Sequence, residues 1–324
     1  MLIDRFNRRI EYLRISLIDK CDLRCTYCIP EGFTEFEHAE NYLTFDEIER
    51  VVATFARLGT SRFRLTGGEP LLRKGVVDLV GRLSALDGVE DLSMTTNGTQ
   101  LARLAQPLKD AGLNRFNISM DSLDANTVKQ ITGSDSLPKV LEALKAVKDA
   151  GFTRTKVNMV PLPGVNTQDI ESMIRFCMEA GFTLRLIEVM PMGVSGQRLD
   201  YLDLQKVIED AQDKFGLIES KRIHGGGPAR YWETADGEFS LGFITPRSQH
   251  FCETCNRVRM TADGVLHLCL GQNDSFDLKP YLRSDCSDHE LEEALRLAIE
   301  LKPEKHEFNE KPEQIIRIMA KTGG

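Results

Sequence analysis

The sequence predicts an α/β fold: a partial (βα)6 barrel, open on one side, followed by a C-terminal extension. Between residues 44 and 190 an amphipathic helix, a glycine and a strand follow one another repeatedly. Alternation of this kind with short links is typical of a parallel sheet covered by helices. The pattern yields six strands, fewer than the eight of a closed barrel. An open, doubly wound sheet is the alternative architecture.

Two helices illustrate the repeated pattern. Thr44-Phe45-Asp46-Glu47 is a capping box, and apolar residues at helical spacing follow it until Gly59 ends the helix. A later helix begins near Thr167 and ends before Gly181. Cys177 lies on the apolar stripe of this helix. We therefore expect Cys177 to pack in the core and not to bind a metal.

The predicted strands share one register when they are aligned on the glycine that precedes each of them. Mostly polar residues stand five and seven positions after each glycine, and apolar residues lie between them. Because strand side chains alternate between faces, one face packs on helices and the other encloses a polar, ligand-filled cavity. The predicted inward positions are Arg14, Ser16, Arg64, Thr66, Ser93, Thr95, Asn117, Ser119, Lys156, Asn158, Leu186 and Glu188, and the helix-facing ones are Leu65, Met94, Ile118, Val157 and Ile187.

Composition excludes several classes of protein. The chain has 324 residues, 41% of them hydrophobic, and a net charge of −8, which argues against broad nucleic-acid binding. Its first residues carry Asp4 and Arg5 and lack the apolar core of a secretory signal. No uncharged apolar run approaches the roughly 18 residues of a membrane span. We therefore expect a cytoplasmic protein that binds neither nucleic acid nor membrane and keeps its cysteines reduced.

Cys21, Cys25 and Cys28 form a C-x3-C-x2-C motif directly after the first strand. This loop supplies three thiolates and no fourth. A structural zinc site uses four protein ligands, whereas a [4Fe–4S] cluster held by three cysteines keeps one iron open for a small molecule. The spacing favours the cluster, and zinc with a distant fourth ligand is the alternative.

Further motifs follow the other strands, at the edge where parallel α/β folds place their functional residues. They are residues 66–70 (T-G-G-E-P), 95–98 (T-T-N-G), 119–123 (S-M-D-S-L) and 188–191 (E-V-M-P). A pair of glycines lets the backbone approach a ligand closely. Beside a loop with three cysteines, this pair indicates a bound amino-acid moiety.

These motifs resemble those of radical S-adenosylmethionine (SAM) enzymes. That family has the three-cysteine loop after the first strand of a partial (βα)6 barrel, an aromatic residue before the third cysteine, here Tyr27, and a G-G-E-P motif after the second strand. The resemblance implies that Cys21, Cys25 and Cys28 hold a [4Fe–4S] cluster. Its open iron would chelate the amino and carboxylate groups of SAM, and reduction of the sulfonium would release a 5′-deoxyadenosyl radical.

A second cysteine set has the spacing C-x2-C-x13-C and consists of Cys252, Cys255 and Cys269. Alone, such a set more often indicates zinc, with His250, His267 or Cys286 as the fourth ligand. Beside the first set, a second cluster with its own open iron is favoured.

Arg257 and Arg259 lie between these cysteines, two residues apart. Arginine suits phosphate oxygens and keeps its charge when it is buried. Arg14, Arg64 and Lys156 are expected to point into the same cavity, which makes it locally basic in an acidic chain. The sequence therefore predicts a phosphate-binding pocket.

The two cysteine sets and the N-R-V-R sequence at residues 256–259 together resemble the MoaA family of molybdenum cofactor biosynthesis, whose members are GTP 3′,8-cyclases. Thr322-Gly323-Gly324 also resembles the double-glycine tail that reaches into the active site in that family. The resemblance implies that the radical abstracts the ribose 3′ hydrogen of GTP and that C3′ attacks guanine C8, which gives 3′,8-cyclo-7,8-dihydro-GTP. Asp22 and Met120 depart from the family pattern, and we expect neither to touch a cluster ligand.

The resemblance also implies three groups of site residues. SAM is lined by Tyr27, Gly68, Ser119 and Met190. GTP is bound by Arg14, Arg64, Thr95, Lys156, Arg257 and Arg259. The second [4Fe–4S] cluster is held by Cys252, Cys255 and Cys269, and its open iron meets the guanine edge.

The family likeness further implies an electron donor such as flavodoxin or ferredoxin, hand-over of the product to MoaC, the cyclic pyranopterin monophosphate synthase, and a monomer or homodimer. We place the barrel core at residues 1–195 and the extension with the second cluster at residues 196–324. Two alternative functions are a peptide-modifying radical SAM enzyme with two clusters and a zinc-stabilised nucleotide-binding module without catalysis.

Overall fold

A twelve-stranded sheet organises the residues that this computed structural model describes, 1–222 and 226–323. Its strands are β1 (Tyr12–Ser16), β2 (Arg62–Thr66), β3 (Asp91–Thr96), β4 (Arg115–Ser119), β5 (Lys156–Met159), β6 (Thr183–Ile187), β7 (Ile218–Glu219), β8 (Arg230–Glu233), β9 (Ser240–Ile244), β10 (Arg257–Met260), β11 (Val265–His267) and β12 (Ser275–Asp277). In space they follow the order β12-β11-β10-β1-β2-β3-β4-β5-β6-β9-β8-β7.

The adjacent strands from β10 through β1–β6 to β9 are parallel, and antiparallel strands extend both ends. Each crossover between β1 and β6 moves one strand in the same direction, as in a barrel, whereas a doubly wound sheet reverses its order at a switch point. Among the described strands β12 and β7 stand at opposite edges, so the sheet is open. The predicted partial barrel is confirmed.

Most of the described helices pack against the sheet through the hydrophobic core, whereas the last one lies beside the inner cavity. The described helices are α1 (Phe45–Arg57), α2 (Val76–Ser84), α3 (Ala105–Asp110), α4 (Ala125–Thr132), α5 (Leu137–Asp149), α6 (Ile170–Ala180), α7 (Gly193–Gln197), α8 (Gln205–Phe215), α9 (Lys279–Leu282), α10 (Asp288–Glu300) and α11 (Met319–Thr322). None of the described helices combines the length and apolarity that a bilayer span requires.

Helix α1 forms where its capping box predicts. The Thr44 side chain accepts a hydrogen bond from the Glu47 backbone N–H, and the Glu47 carboxylate accepts one from the Thr44 backbone N–H. Val51 and Phe55 on its inner face are fully buried, and each buried side chain of this size contributes about 1.5–3 kcal/mol. Cys177 of α6 is fully buried in the same core, as predicted.

Strand register lines up arginines on the inner face. Arg14 of β1 pairs with Arg64 of β2 on one side and with Arg259 of β10 on the other. Paired residues in neighbouring strands point to the same face. Strand β10, from the C-terminal part of the chain, thus places a third arginine beside those of β1 and β2 on the inner face.

The predicted register is wrong by one residue in β6. Asn158 pairs with Arg185, so Arg185 points inward, while Leu186 is fully buried in the hydrophobic core and Ile187 borders the inner cavity. Strand β6 begins two residues after Gly181, whereas β2, β3 and β4 begin three residues after their glycines. The shorter turn moves each side chain to the opposite face.

Glu188, the other predicted inward position, lies beyond the end of β6. Its buried carboxylate accepts hydrogen bonds from the backbone N–H groups of Arg247 (2.9 Å) and Ser248 (3.2 Å). The side chain therefore ties the end of β6 to the segment that leads towards the second cysteine set.

Candidate active site

The first cysteine loop presents thiols that need a compensating positive charge. All eight cysteines of the chain are free. Cys21 Sγ faces the Leu23 backbone N–H at 3.4 Å and the Asn97 side-chain amide at 3.6 Å. Burial raises the pKa of Cys21 and of Cys28 to about 12. These groups therefore become thiolates when a metal centre balances their charge.

Asp22 belongs to the surroundings of this loop, contrary to expectation. Its Oδ1 lies 3.9 Å from Cys21 Sγ and accepts a hydrogen bond from the Asn97 side-chain amide at 2.8 Å. Its Oδ2 accepts from Thr99 Oγ1 at 2.5 Å. The carboxylate at this position thus contacts a predicted cluster ligand. Met120, the other departure, is buried in the core.

Gly68 lets the loop after β2 lie directly against the cysteine loop. Its N–H donates to the Ile18 carbonyl at 2.7 Å. A Cβ at this position would lie 2.3 Å from the Lys20 carbonyl oxygen and 2.5 Å from that of Asp19. Both obstacles are backbone atoms, which cannot rotate away. Gly68 therefore lies in close contact with the backbone of the loop that carries Cys21.

We expect Gly68→Ala to displace the cysteine loop. The overpacking should lower the free energy of unfolding by about 1–3 kcal/mol and reduce the iron that the first loop retains after anaerobic reconstitution. Gly81→Ala in α2 is the matched control, because its Cβ would meet nothing within 4 Å and should stabilise the helix by about 0.5–1 kcal/mol. Denaturant unfolding and iron analysis measure both effects, and full iron retention in Gly68→Ala would contradict this account.

Glu69 links the loops that follow β2 and β3. Its buried carboxylate accepts hydrogen bonds from the Leu71 backbone N–H (3.0 Å), Thr96 Oγ1 (2.8 Å) and the Asn97 backbone N–H (2.7 Å). Burial raises its pKa to about 7 in spite of these donors. By holding the Asn97 backbone, Glu69 positions the amide that faces Cys21. The G-G-E-P motif contained this residue, but its spacing did not reveal the link.

Cys25, Tyr27 and Ser119 line a small cavity, the loop cavity, with an empty volume of about 390 Å³. Tyr27 Oη donates to Asp121 Oδ2 at 2.8 Å, and Asp121 Oδ1 accepts from the Val160 backbone N–H at 2.8 Å. Burial raises the pKa of Asp121 to about 6. Asp121 therefore fixes the Tyr27 ring at the cavity wall, a role that sequence reasoning missed.

A larger cavity, the barrel cavity, lies along the inner face of the sheet and has an empty volume of about 1030 Å³, part of it open to solvent. Among the described residues that line it none is Asp or Glu, and the cations are Arg14, Arg64, Arg185, Arg257, Arg259 and Lys302. Burial lowers the pKa of Arg64 to about 10 and, with Arg257 next to it, that of Arg259 to about 9. The cavity is thus suited to a polyanion.

Two of these arginines also keep a hydrogen-bond donor unused. The Nε–H groups of Arg14 and Arg257 are buried, and neither has a hydrogen-bond partner within residues 1–222 and 226–323. A buried donor without an acceptor costs about 1–3 kcal/mol. Acceptor oxygens of a ligand in the cavity would satisfy both.

The second cysteine set borders the same cavity, which Cys252, Cys255 and Cys269 all line. Lys302 is almost fully buried beside this set, and its Nζ donates to the carbonyls of Arg257 (3.1 Å) and Leu268 (2.5 Å). Burial alone would raise the pKa of Cys255, but the charges of Lys302 and Arg257 bring it below its usual value. Lys302 is therefore a positioning residue, far from the motif in sequence, that no local spacing revealed.

The C-terminal tail reaches the inner face. Arg259 Nη1 donates to the carbonyl of Thr322 at 3.4 Å and to that of Gly323. A Cβ on Gly323 would lie 2.2 Å from Thr66 Cγ2, so this position requires glycine. The second glycine of the predicted tail, Gly324, lies outside the described residues.

Most predicted site residues gather in the two cavities. The barrel cavity contains Arg14, Arg64, Met190, Arg257, Arg259 and the second cysteine set, and the loop cavity contains Cys25, Tyr27 and Ser119. Thr95 and Lys156 are not among the described residues that line either cavity. Lys156 Nζ instead donates to Tyr231 Oη at 2.9 Å. Sequence reasoning missed Arg185, which the misplaced β6 register hid.

Two family models match this chain. The one described as the radical SAM superfamily matches residues 15–177, and the one described as Molybdenum Cofactor Synthesis C matches residues 182–308. The GTP 3′,8-cyclase of Pseudomonas putida (strain W619) is 46% identical over 329 residues, which cover 100% of this chain and 98% of that protein. The GTP 3′,8-cyclase of Erythrobacter litoralis (strain HTCC2594) is 46% identical over 331 residues, with the same coverage.

A solved structure supports the fold independently. The crystal structure of Streptococcus suis SuiB bound to S-adenosylmethionine superposes with a TM-score of 0.65 at 15% identity, covering 90% of this chain and 68% of that chain. At this identity the likeness concerns the fold alone. The full-length relatives and the matched models decide the family: the chain belongs to the radical SAM superfamily and, within it, to the GTP 3′,8-cyclase family.

Proposed function

We propose that this chain is a GTP 3′,8-cyclase, a radical SAM lyase that catalyses the first step of molybdopterin biosynthesis. The reaction removes the 3′ hydrogen of the GTP ribose and joins C3′ to guanine C8, which yields 3′,8-cyclo-7,8-dihydroguanosine 5′-triphosphate. One observation carries the assignment of the site. A single cavity combines six cationic side chains, no described Asp or Glu, and a set of three cysteines, so a triphosphate and a cluster can share it.

Both cysteine sets fit [4Fe–4S] clusters. Each supplies three free thiols. Burial raises the pKa of Cys21, Cys252 and Cys269, and backbone hydrogen bonds from Leu23, His306 and Gly271 counter part of this rise. Such hydrogen bonds to sulfur are among the factors that tune iron–sulfur clusters. We assign Cys21, Cys25 and Cys28 to the SAM cluster and the second set to the other. When bound, the first cluster and SAM supply the 5′-deoxyadenosyl radical.

The loop cavity is our proposed SAM side of the site. Cys25 and Tyr27 share its wall with Ser119, and the Tyr27 ring is held by Asp121. We assign Tyr27 and Ser119 to SAM, together with Gly68, whose lack of a side chain keeps the neighbouring loop in place. Met190, also assigned to SAM, borders the barrel cavity and would then lie where the two ligands meet.

The barrel cavity is our proposed GTP site. Register places Arg14, Arg64 and Arg259 side by side, and Arg257 borders the same space. Planar guanidinium forks bind phosphate oxygens with good geometry, and a polyanion relieves the repulsion between these buried cations. Thr95, which lies on the same strand face, and Lys156 complete the proposed set. We add Arg185 to this set because it also lines the barrel cavity.

GTP binding should be accompanied by the uptake of a proton at Lys156. Burial, and then the charges of Arg185 and Arg115, lower its pKa to about 6, so it is mostly neutral near physiological pH. A bound triphosphate favours the charged form and raises that pKa. A group whose pKa rises on binding takes up a proton, so the affinity for GTP should fall as the pH rises above about 6. Calorimetric titration in two buffers of different ionisation enthalpy should show this uptake, and Lys156→Met should remove it.

Lys145→Met is the control for this experiment. Lys145 is exposed on α5 and its nearest carboxylate is that of Asp149 at 3.6 Å. Its replacement should leave the proton uptake unchanged. The same uptake in wild type and in Lys156→Met would contradict a role for Lys156 in binding the triphosphate.

We further propose a division into a barrel core of residues 1–195 and an extension of residues 196–324. The extension supplies β9 and β10, which flank the core strands β6 and β1. An electron donor such as flavodoxin or ferredoxin would reduce the first cluster. Hand-over of the product to MoaC, a monomeric or homodimeric state and a cytoplasmic location complete the proposal.

Anaerobic incubation with GTP, SAM and a strong reductant tests the proposed activity. We expect both 5′-deoxyadenosine and a cyclised guanosine product. Deoxyadenosine without any cyclised product would reject GTP as substrate and favour the peptide-modifying alternative. A colourless protein that contains zinc but neither iron nor acid-labile sulfide would favour the nucleotide-binding module instead.

A further inference from the structure

Two histidines lie against the first cysteine of the second set. A ring nitrogen of His250, Cys252 Sγ and a ring nitrogen of His306 form a group whose ligand atoms all lie within 4.8 Å of one another. His250 Nδ1 and His306 Nε2 lie 3.3 Å apart and share a hydrogen bond, which a metal bound to both nitrogens would replace. His306 is buried, Cys252 is half-buried and His250 is exposed, so the group opens to solvent on one side.

The spacing of these atoms matches one edge of a tetrahedral metal site. Zinc binds imidazole nitrogen at about 2.0–2.1 Å, so two nitrogens on a tetrahedral centre lie about 3.3–3.4 Å apart. The observed separation of the two histidine nitrogens is 3.3 Å. With a Zn–S bond of about 2.3 Å, the sulfur would lie about 3.6 Å from each nitrogen. In the structure the sulfur lies within 4.8 Å of both nitrogens, so closing the site moves it by at most about 1 Å towards each of them.

We propose that His250, Cys252 and His306 form a Zn²⁺ site that is filled when the second cluster is absent. Two imidazoles and a thiolate are a donor set that zinc prefers, and a fourth position stays open to water. Binding forms two Zn–N bonds and one Zn–S bond, and the Cys252 thiol releases its proton to solvent. No electron transfer is involved.

The site also has a cost. The Phe308 backbone N–H faces His306 Nδ1 at 3.4 Å, a long contact in which that nitrogen accepts. Coordination through Nε2 moves the ring proton to Nδ1, so this contact is given up. Burial also raises the pKa of the Cys252 thiol, and the nearby charges of Arg8 and Lys302 counter this only in part, so the metal must supply the remaining stabilisation of the thiolate.

Zinc and the second cluster exclude each other, because both need Cys252. This consequence rests on the proposed function, in which Cys252 is a cluster ligand, whereas zinc binding itself does not. A variant that lacks the His306 imidazole keeps all three cysteines. It should therefore resist zinc and still accept the cluster.

Metal titration of the full-length, cluster-free protein tests the site. Co²⁺ should produce thiolate charge-transfer absorption in wild type, and Zn²⁺ should bleach it. His306→Gln and His250→Asn should each weaken this binding at least about tenfold. His289→Gln, an exposed histidine on α10, is the matched control and should change nothing. Metal held by the first cysteine loop is common to all variants and cancels in the comparison. Equal binding in wild type and both histidine variants would overturn the proposal, because it would assign the metal to the cysteines alone.

Reconstitution with iron and sulfide separates this inference from the proposed function. In the presence of Zn²⁺, wild type should load one cluster fewer than His306→Gln, because any zinc on the first cysteine loop affects both proteins equally. Without zinc the two proteins should load equally, as read by iron content and by electron paramagnetic resonance. A loading defect of His306→Gln without zinc would overturn the inference by making the histidine a structural support of the cluster. Neither the metal titration nor the reconstitution uses GTP or SAM. Both can therefore test the zinc site even if the protein shows no cyclase activity.

Discussion

Cys25→Ala should abolish reductive cleavage of SAM. Two remaining thiols cannot hold a [4Fe–4S] cluster with one open iron, so the radical precursor has no site. The iron content after reconstitution should fall from about eight to about four per chain, because the second set keeps its own cluster. Anaerobic incubation with SAM and dithionite, followed by chromatography of 5′-deoxyadenosine, measures the first effect, and chemical iron analysis measures the second.

Cys286→Ser provides the control for this prediction. Cys286 is a free, half-buried cysteine outside both sets, and its replacement should leave the iron content and the SAM cleavage at wild-type levels. Detectable 5′-deoxyadenosine from Cys25→Ala would show that Cys25 is not a required ligand of the SAM cluster.

Replacing Arg257 and Arg259 by alanine should weaken GTP binding strongly while leaving the first cluster intact. A charge-assisted hydrogen bond contributes about 1.5–3 kcal/mol, so each arginine that meets a phosphate should account for a loss of about 10- to 100-fold in affinity. Arg259 is buried beside other arginines, and burial lowers its pKa to about 9. Removing its charge relieves repulsion, so the thermal stability of the substrate-free protein should not fall for electrostatic reasons.

Single variants separate two roles of Arg259. This residue also donates to the Gly323 carbonyl, so Arg259→Ala releases the tail as well as a phosphate contact, whereas Arg257→Ala leaves the contact of Arg259 with the tail in place. We expect both single variants to lose affinity and Arg259→Ala to lose more. Arg175→Ala, on the exposed surface of α6 and paired with Glu171, should bind GTP like wild type. Unchanged dissociation constants in the double variant, measured anaerobically, would contradict the phosphate role.

The inner face of the barrel was largely predictable because most of its strands start at a fixed distance from the preceding glycine. The positions that follow Gly59, Gly88 and Gly112 fall on the predicted face, since each strand starts three residues after its glycine. After Gly181 the strand starts one residue earlier. The spacing rule therefore predicted Leu186 to point inward, whereas Arg185 does so in the structure. The aligned sequences do not show this difference in turn length, because Gly151 and Gly181 are each followed by a buried phenylalanine although the strands start five and two residues later.

Contacts between distant segments were not predictable from local patterns. Neither β9 nor β10 directly follows an α-helix, and their places beside β6 and β1 depend on long-range pairing. Lys302 and His306 reach the second cysteine set from a segment without any recognisable motif. The cysteine spacings predicted both sets, because three closely spaced thiols restrict the possible chemistry more than any strand pattern does.

Transfer of deuterium from GTP labelled at the ribose 3′ position is the most direct test of the central claim. The account predicts that wild-type protein, incubated anaerobically with SAM and reductant, yields 5′-deoxyadenosine carrying one deuterium together with a cyclised product that has lost it. Unlabelled 5′-deoxyadenosine, or a cyclised product that retains the 3′ deuterium, would contradict it.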